Sequence, residues 1–193
     1  MEKFKRNERV AGLIKILSDN PNNLFSLNYF SELFTAAKST ISEDIAAAKK
    51  IVEQISLGQI ETISGVAGGV KYRPYVENGD AIGFLDELCE KLRDPKRIIP
   101  GNYIYMSDVI YDPRVSAKVG EIFATHFMNS GVEYVVTIET KGITLANMTA
   151  RALNVPLVIL RRENRVTEGS TVSINYVSGS TKRIQTMFVS KRA

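Results

Sequence analysis

The chain has 193 residues, enough for one large or two small domains, and the apolar content of an ordinary globular protein. It holds no apolar run long enough to span a membrane, Met1-Glu2-Lys3-Phe4-Lys5-Arg6 lacks the apolar core of a signal peptide, and a single cysteine, Cys89, excludes an internal disulfide framework, so a reducing cytoplasm is expected. The net charge of +4 is unevenly spread: basic residues gather near the start and again from Arg161 onward, which suggests two separate anionic partners.

Val10, Leu13, Ile14 and Leu17 fall on one face of a first helix that Asp19-Asn20-Pro21 ends. Ser26 is placed to cap a short second helix with Leu27, Phe30 and Phe34 inward. A third helix follows after very few residues, with Ile41, Ile45, Ala48, Val52 and Ile55 as its apolar set. Thr40 and Glu43 make a capping box at its start, with Ser39 an equal candidate, and Gly58 stops it. Gln59–Ile63 and residues 70–75 surround a Gly-rich turn and read as a hairpin. Three short helices and a hairpin are the layout of a winged helix-turn-helix.

After a linker at Glu77-Asn78-Gly79, Asp80 is expected to cap a helix with Ile82, Leu85, Leu88, Cys89 and Leu92 inward, which makes Cys89 a core residue. Pro100-Gly101 opens an extended stretch through Tyr103, Ile104 and Tyr105. Asp112-Pro113 starts a helix with Val115, Val119, Ile122 and Phe123 on one face and the lone His126 half-buried. The apolar strand at 135–138 then runs through Glu139-Thr140-Lys141-Gly142 into another helix, and Leu157–Leu160 follows as a strand. This is a βαβ unit, which implies parallel pairing. Thr171–Val177 and residues 183–190 flank a second hairpin turn. The expected division is a head at 1–75 and a second domain at 76–193.

In a helix-turn-helix the N-terminal residues of the second helix of the pair meet the bases. Here they are Lys38, Ser39, Thr40, Ser42 and Glu43; the small hydroxyls permit close approach to phosphates and base edges, and Lys38 would bind phosphate. Lys71 and Arg73 on the wing, with a basic arm of Lys3, Lys5 and Arg6, would supply the salt-dependent backbone term on double-stranded DNA. The plainer reading is a helical protein-interaction module, because Glu43, Asp44 and Glu53 offset the lysines of the third helix. In the second domain, Thr140-Lys141-Gly142 is built for an anion. Glycine lets backbone N–H groups approach a ligand, the helix N-terminus favours negative charge, and Lys141 adds a cation.

Four segments carry a resemblance that covers the chain: Ser39-Thr40-Ile41-Ser42-Glu43-Asp44, Gly65-Val66-Ala67-Gly68-Gly69-Val70-Lys71-Tyr72, Thr140-Lys141-Gly142-Ile143, and the long run from Val166-Thr167-Glu168-Gly169 to Ser178-Gly179-Ser180. The sequence resembles the purine operon repressors of Gram-positive bacteria, a winged-helix head fused to a type I phosphoribosyltransferase domain. The resemblance implies an α/β fold class: a winged helix-turn-helix followed by a phosphoribosyltransferase-like domain with a mainly parallel sheet and a β-hairpin flexible loop. It implies that Thr140, Lys141 and Gly142 hold pyrophosphate, that Tyr103 or Tyr105 stacks on a base, and that the basic segment with Arg161, Arg162 and Lys182 closes over phosphates. It also implies phosphoribosyl pyrophosphate as an effector that releases DNA, with guanosine tetraphosphate competing for the same pocket.

The family's further strand, its pair of ribose-binding acids and its 5′-phosphate loop are not found after residue 134, so the second domain is expected to be incomplete. Catalysis is not expected, since in-line transfer needs that missing loop and no nucleophile–base pair is visible; no metal is expected either. A homodimer is expected from the paired half-sites that such heads read. The alternative reading is a purine phosphoribosyltransferase with an accessory N-terminal domain.

Overall fold

The computed structural model describes residues 4–191. The head consists of α1 (Arg6–Asp19), α2 (Leu27–Leu33), α3 (Lys38–Gln54), β1 (Gln59–Ile63) and β2 (Gly69–Arg73). Its three helices and hairpin enclose one apolar cluster, in which Leu13, Leu17, Phe30, Ile41, Ala48 and Val70 are fully buried. Burial of each large side chain contributes roughly 1.5–3 kcal/mol. Ser26 caps α2 as expected, its Oγ accepting the Tyr29 N–H at 3.2 Å. Phe25 pairs with Val70 by two backbone hydrogen bonds of 2.8 and 2.9 Å, adding a third short rung to the wing. Gly69 is required there by space, because a Cβ would lie 2.2 Å from the Phe25 carbonyl oxygen.

The start of α3 differs from the expectation. Ala37 is its N-cap without a side-chain hydrogen bond, so neither Ser39 nor Thr40 caps it; both lie inside the first turn. Ile55 sits past the end of α3 and is 58% exposed rather than in the core. The chain arrives at α3 from a tight turn in which Thr35 has φ +50° and the Ser31 hydroxyl donates to the Ala36 carbonyl at 2.6 Å, and that turn sets the helix start.

The remainder contains α4 (Asn78–Leu92), a 3-10 turn (Pro95–Arg97), β3 (Ile98–Ile99), β4 (Tyr103–Ile104), α5 (Ser107–Ile110), α6 (Pro113–Phe127), β5 (Val135–Ile138), α7 (Gly142–Leu153), β6 (Leu157–Leu160), a second 3-10 turn (Val166–Glu168), β7 (Thr171–Val177) and β8 (Ile184–Ser190). The strands β5 and β6 pair in parallel, Val135 opposite Leu157 and Ile138 opposite Leu160. This is the parallel part of the described structure; β3–β4 and β7–β8 are antiparallel hairpins. Backbone bonds between Arg161 and Phe188 join β8 to the end of β6. Asn154, in the left-handed conformation, ends α7 and turns the chain into β6.

Several expectations fail in this half, and those about burial share one physical reason. Periodicity marks an apolar helix face but not what covers it. The helix α4 begins at Asn78 with Glu77 as N-cap, so Asp80 sits in the first turn, and none of its residues is buried. Ile82 is 51% exposed, and Cys89 is exposed rather than core. On α6 the buried positions are the small residues Ser116, Gly120 and Ala124, while Phe123 is 45% exposed. Small residues are selected there because α7 approaches closely: a Cβ on Gly120 would lie 2.7 Å from the Met148 backbone. His126 is exposed, its ring edge-on to Phe127 at 4.8 Å.

The two halves are joined by specific contacts. The Asn22 side-chain amide donates to the Ala152 carbonyl at 2.6 Å. The Val76 N–H donates to Thr125 Oγ1 at 3.0 Å, which anchors the segment where the linker was expected. Between them Tyr72 and Glu121 line a cavity of about 280 Å³. Burial first, and then the Glu121 charge, push the Tyr72 phenol up to about 12. Among the described residues no helix is long and apolar enough to cross a membrane.

Candidate functional site

The outward face of α3 follows from its inward one. With Ile41, Asp44, Ile45, Ala48 and Val52 buried, the helical period turns Lys38, Ser39 and Ser42 to solvent and leaves Thr40 half-buried. The structure thus gathers these four residues on the first two turns of α3. The arm residues Lys5 and Arg6 are exposed where the chain enters α1, and the Lys5 N–H donates to the Glu8 carboxylate at 2.7 Å. Lys3 lies outside the described residues.

The wing cations are less free. Glu61 on β1 stands across from them, with Lys71 Nζ at 3.5 Å and Arg73 Nε at 2.8 Å from its Oε2. Their side chains are mostly buried against the hairpin. A buried ion pair that sequence reasoning did not find joins α1 to α3: Arg9 Nε donates to Asp44 Oδ2 at 2.6 Å, with both residues buried. The signal was present, since Arg9 shares an inward face with Leu13 and Leu17, and Asp44 sits between Ile41 and Ile45.

In the second half, Glu139, Thr140 and Lys141 bridge β5 and α7. Thr140 and Lys141 are exposed at the start of a helix of 12 residues, where backbone N–H groups lack intrahelical partners. Gly142 is needed for close approach: a Cβ would lie 2.7 Å from Thr137 Oγ1.

Glu139 is the hub that sequence reasoning did not find. Its carboxylate accepts the Arg162 backbone N–H at 2.8 Å, Arg161 Nη1 at 3.3 Å and Arg165 Nη2 at 3.5 Å. The Arg162 N–H above all, then the Arg161 hydrogen bond and the charges of Arg165 and Arg161, hold the Glu139 carboxyl below its ordinary range. Arg161 also donates through Nε to Glu168 at 2.7 Å, and the two carboxylates push its guanidinium pKa further up. Arg161 is therefore occupied by carboxylates beside the loop. The Arg162 side chain and Lys182, at the β7–β8 tip, are exposed.

Tyr103 and Tyr105 are exposed on and after β4. Tyr105 is placed by Arg97, whose carbonyl accepts its N–H at 2.7 Å and whose Nη1 donates to its carbonyl at 3.0 Å. Arg97 in turn forms a two-pronged pair with Asp108, both bonds 2.8 Å. Among the described residues no hydrogen bond or ion pair joins Tyr103, Tyr105 or Lys182 to the Thr140–Lys141 turn. The geometry thus brings Thr140, Lys141 and Gly142 together, with Arg161 and Arg162 at their side through Glu139.

A winged head with a polar recognition face, carried on a strand–loop–helix unit suited to an anion, defines a two-part class: a transcription-regulator head on a phosphoribosyltransferase-like domain. Residues 5–74 match the family described as bacterial purine repressor, N-terminal, and residues 106–191 match the phosphoribosyl transferase domain. The chain is 48% identical over 191 residues to the purine biosynthesis transcriptional repressor PurR of Bacillus subtilis, covering 99% of this chain and 67% of that protein. It is 42% identical over 190 residues to the purine biosynthesis transcriptional activator PurR of Lactococcus lactis, covering 98% of this chain and 70% of that one. A xanthine phosphoribosyltransferase of Agathobacter rectalis is 38% identical over 82 residues, 41% of this chain and 43% of that enzyme. The chain belongs to the bacterial purine repressor family, and a repressor head implies binding to DNA.

Proposed function

We propose that this protein represses purine biosynthesis genes by binding double-stranded control DNA as a homodimer in the cytoplasm, and that phosphoribosyl pyrophosphate held at Thr140-Lys141-Gly142 releases it. Guanosine tetraphosphate would compete for the same turn, since both ligands carry a pyrophosphate group. The observation that carries this reading is the placement of α7. Its N-terminal end bears the anion loop, and its C-terminal end accepts the Asn22 hydrogen bond from the head. One helix of 12 residues, about 18 Å long, thus runs from the turn to the head, where it meets the loop between α1 and α2. A ligand shifts such an equilibrium only through different affinity for the two states, and α7 gives it a lever on the head.

The test is titration of phosphoribosyl pyrophosphate into the complex of the protein with purine-operon control DNA, followed by fluorescence anisotropy. Release that is lost in Lys141→Ala, with DNA affinity in the absence of ligand unchanged, supports the reading. Ligand-independent affinity in the unsubstituted protein overturns it. Reporter transcription with and without the gene fixes the sign of regulation, since one relative is named a repressor and another an activator.

A regulatory rather than catalytic role is supported by the commitment of Arg161 to Glu139 and Glu168. The second reading, a purine phosphoribosyltransferase, draws on the similarity to the xanthine enzyme. Nucleotide formation from a purine base and phosphoribosyl pyrophosphate at ordinary enzymatic rates would establish it.

A further inference from the structure

The entry into α1 carries a charge pattern that helix electrostatics disfavour. Lys5, Arg6 and Arg9 crowd a helix N-terminus, where the macrodipole already presents positive partial charge. Glu8 offsets part of this locally. The rest is answered from α3 by Asp44, which is 1% exposed. Its Oδ2 takes Arg9 Nε at 2.6 Å, and its Oδ1 takes Arg9 Nη2 at 3.4 Å and lies 3.6 Å from Arg6 Nε. Arg9 Nη1 then reaches back to the Phe4 carbonyl at 2.7 Å, and the Phe4 ring packs edge-on against Phe34 at 5.5 Å. The chain ahead of α1 is therefore pinned to the end of α2, and through Arg9 to α3.

We infer that Asp44 is a positioning residue for DNA binding: it docks the basic arm against the recognition helix, so that Lys5 and Arg6 engage the DNA backbone alongside Lys38 and Ser42. A buried ion pair is weak evidence for stability, because desolvation offsets its Coulombic gain; here its contacts tie the entry of α1 to α3. Asp44 immediately follows Glu43 and lies two residues after Ser42, both on the exposed face of α3. The Arg6 side chain keeps 66% of its exposure although it leans on Asp44, so its charge stays presented to solvent. The arm backbone thus shares a frame with the helix that reads the groove, so only its side chains, and not the chain that carries them, need ordering when DNA arrives.

This inference rests on the DNA-binding role of the head, and its test separates the two. The probe is a fluorescein-labelled duplex of mixed sequence, because the arm is expected to contribute the sequence-independent term. Its affinity for the full chain is measured between about 50 and 200 mM salt. Lys5→Ala with Arg6→Ala is expected to flatten the slope of log affinity against log salt by about 1.8, two phosphate contacts at about 0.9 each. Asp44→Asn is expected to flatten it by a similar amount, and to cause no further loss when added to the Lys5/Arg6 double substitution. Arg9→Met with Asp44→Leu, which replaces the pair by packed apolar groups, is expected to keep the head folded and still give the flattened slope. An unchanged slope in these folded variants overturns the inference. So does an equal fold-loss on adding Asp44→Asn with and without the arm cations, since Asp44 would then act on the helix and not through the arm. If the unsubstituted chain shows no salt-dependent binding at all, the DNA-binding reading falls and the inference with it.

Discussion

The head and the segment that follows it handle apolar residues in opposite ways. The head closes one cluster in which Leu13, Leu17, Phe30 and Ile41 reach zero exposure. The helix α4 presents Ile82 and Leu85 to solvent, and the hairpin after it does the same with Ile98 and Ile104. A closed core lets a surface carry function without carrying the fold, so the outward residues of α3 can be replaced at small cost to stability. In the second half the segment leading into the 140–142 turn is held by hydrogen bonds and ion pairs of Glu139 with Arg161, Arg162 and Arg165. At Glu139 and Arg161 charge and geometry therefore change together, whereas among the described residues Lys141 stands free of that network.

The sharpest way to break this contrast is to truncate one apolar residue in each region. Phe30→Ala should destabilise the protein by about 3–5 kcal/mol in denaturant unfolding, through lost burial and a residual cavity. Leu85→Ala should cost about 1 kcal/mol or less, as at a surface site. A cost for Leu85→Ala matching that of Phe30→Ala would mean that α4 is covered in solution.

The joint between the two regions offers the next effect. The phenol of Tyr72 is pushed up to about 12 from an ordinary value of 10.0, first by burial and then by Glu121. A folded-state pKa raised above the unfolded one means that the folded chain holds the proton longer. Stability is therefore intact below about pH 10 and falls progressively between about 10 and 12. A shift of two units corresponds to at most about 2–3 kcal/mol. Ultraviolet titration of the wild type against Tyr72→Phe would show the late phenol directly. Glu121→Gln should move it back toward 10.0 without reaching it, because burial is the larger cause. A phenol that titrates at 10.0 would mean that head and second half are not packed together as described.

Lys141 in the turn and Arg161 beside it should separate by kind. Arg161→Ala removes a half-buried partner of both Glu139 and Glu168 and should destabilise by about 1–3 kcal/mol. Lys141→Ala should change stability by less than about 0.5 kcal/mol while weakening pyrophosphate binding in calorimetry. Equal behaviour of the two variants in both measurements would remove the distinction between a structural and a ligand-facing cation.

What the sequence made legible follows the same divide. The head helices, the Ser26 cap and both long hairpins were readable because a local period or turn residue specifies each. The strand–turn–helix at 135–153 was readable because strand, glycine and helix start are contiguous. The ion pairs that position these parts were not, since their partners lie far apart in sequence: 35 residues for Arg9–Asp44, 22 for Arg161–Glu139 and 11 for Arg97–Asp108. Cys89 and Phe123 were misplaced for a related reason. Helical spacing identifies a shared face, but burial depends on a neighbour that spacing does not name.

The pair Arg97–Asp108 completes the comparison, because it repeats the chemistry of Arg9–Asp44 in an open setting. Its two bonds of 2.8 Å are as short as those of a buried pair, yet the Asp108 side chain keeps 38% of its exposure. The Arg97 hydrogen bond first, with the charges of Arg97 and Lys91, holds the Asp108 carboxyl at about 2 against an ordinary 3.8. A lowered folded-state pKa places the sign: the contribution is complete above about pH 4 and is lost as pH falls toward about 2. Solvent screening keeps it small, and the loss should be local, loosening the 97–108 segment that places Tyr105 while the head stays folded. Amide exchange followed from pH 5 to about pH 2 should show protection fading around Tyr105 before it fades in α1 or α3. Arg97→Ala should move Asp108 back toward its ordinary range without reaching it, because Lys91 still acts on it, and should weaken the pH dependence of that local protection. Protection lost simultaneously in both regions would mean that the 97–108 segment is part of the same cooperative unit as the head, and the contrast between a closed and an open half would fail.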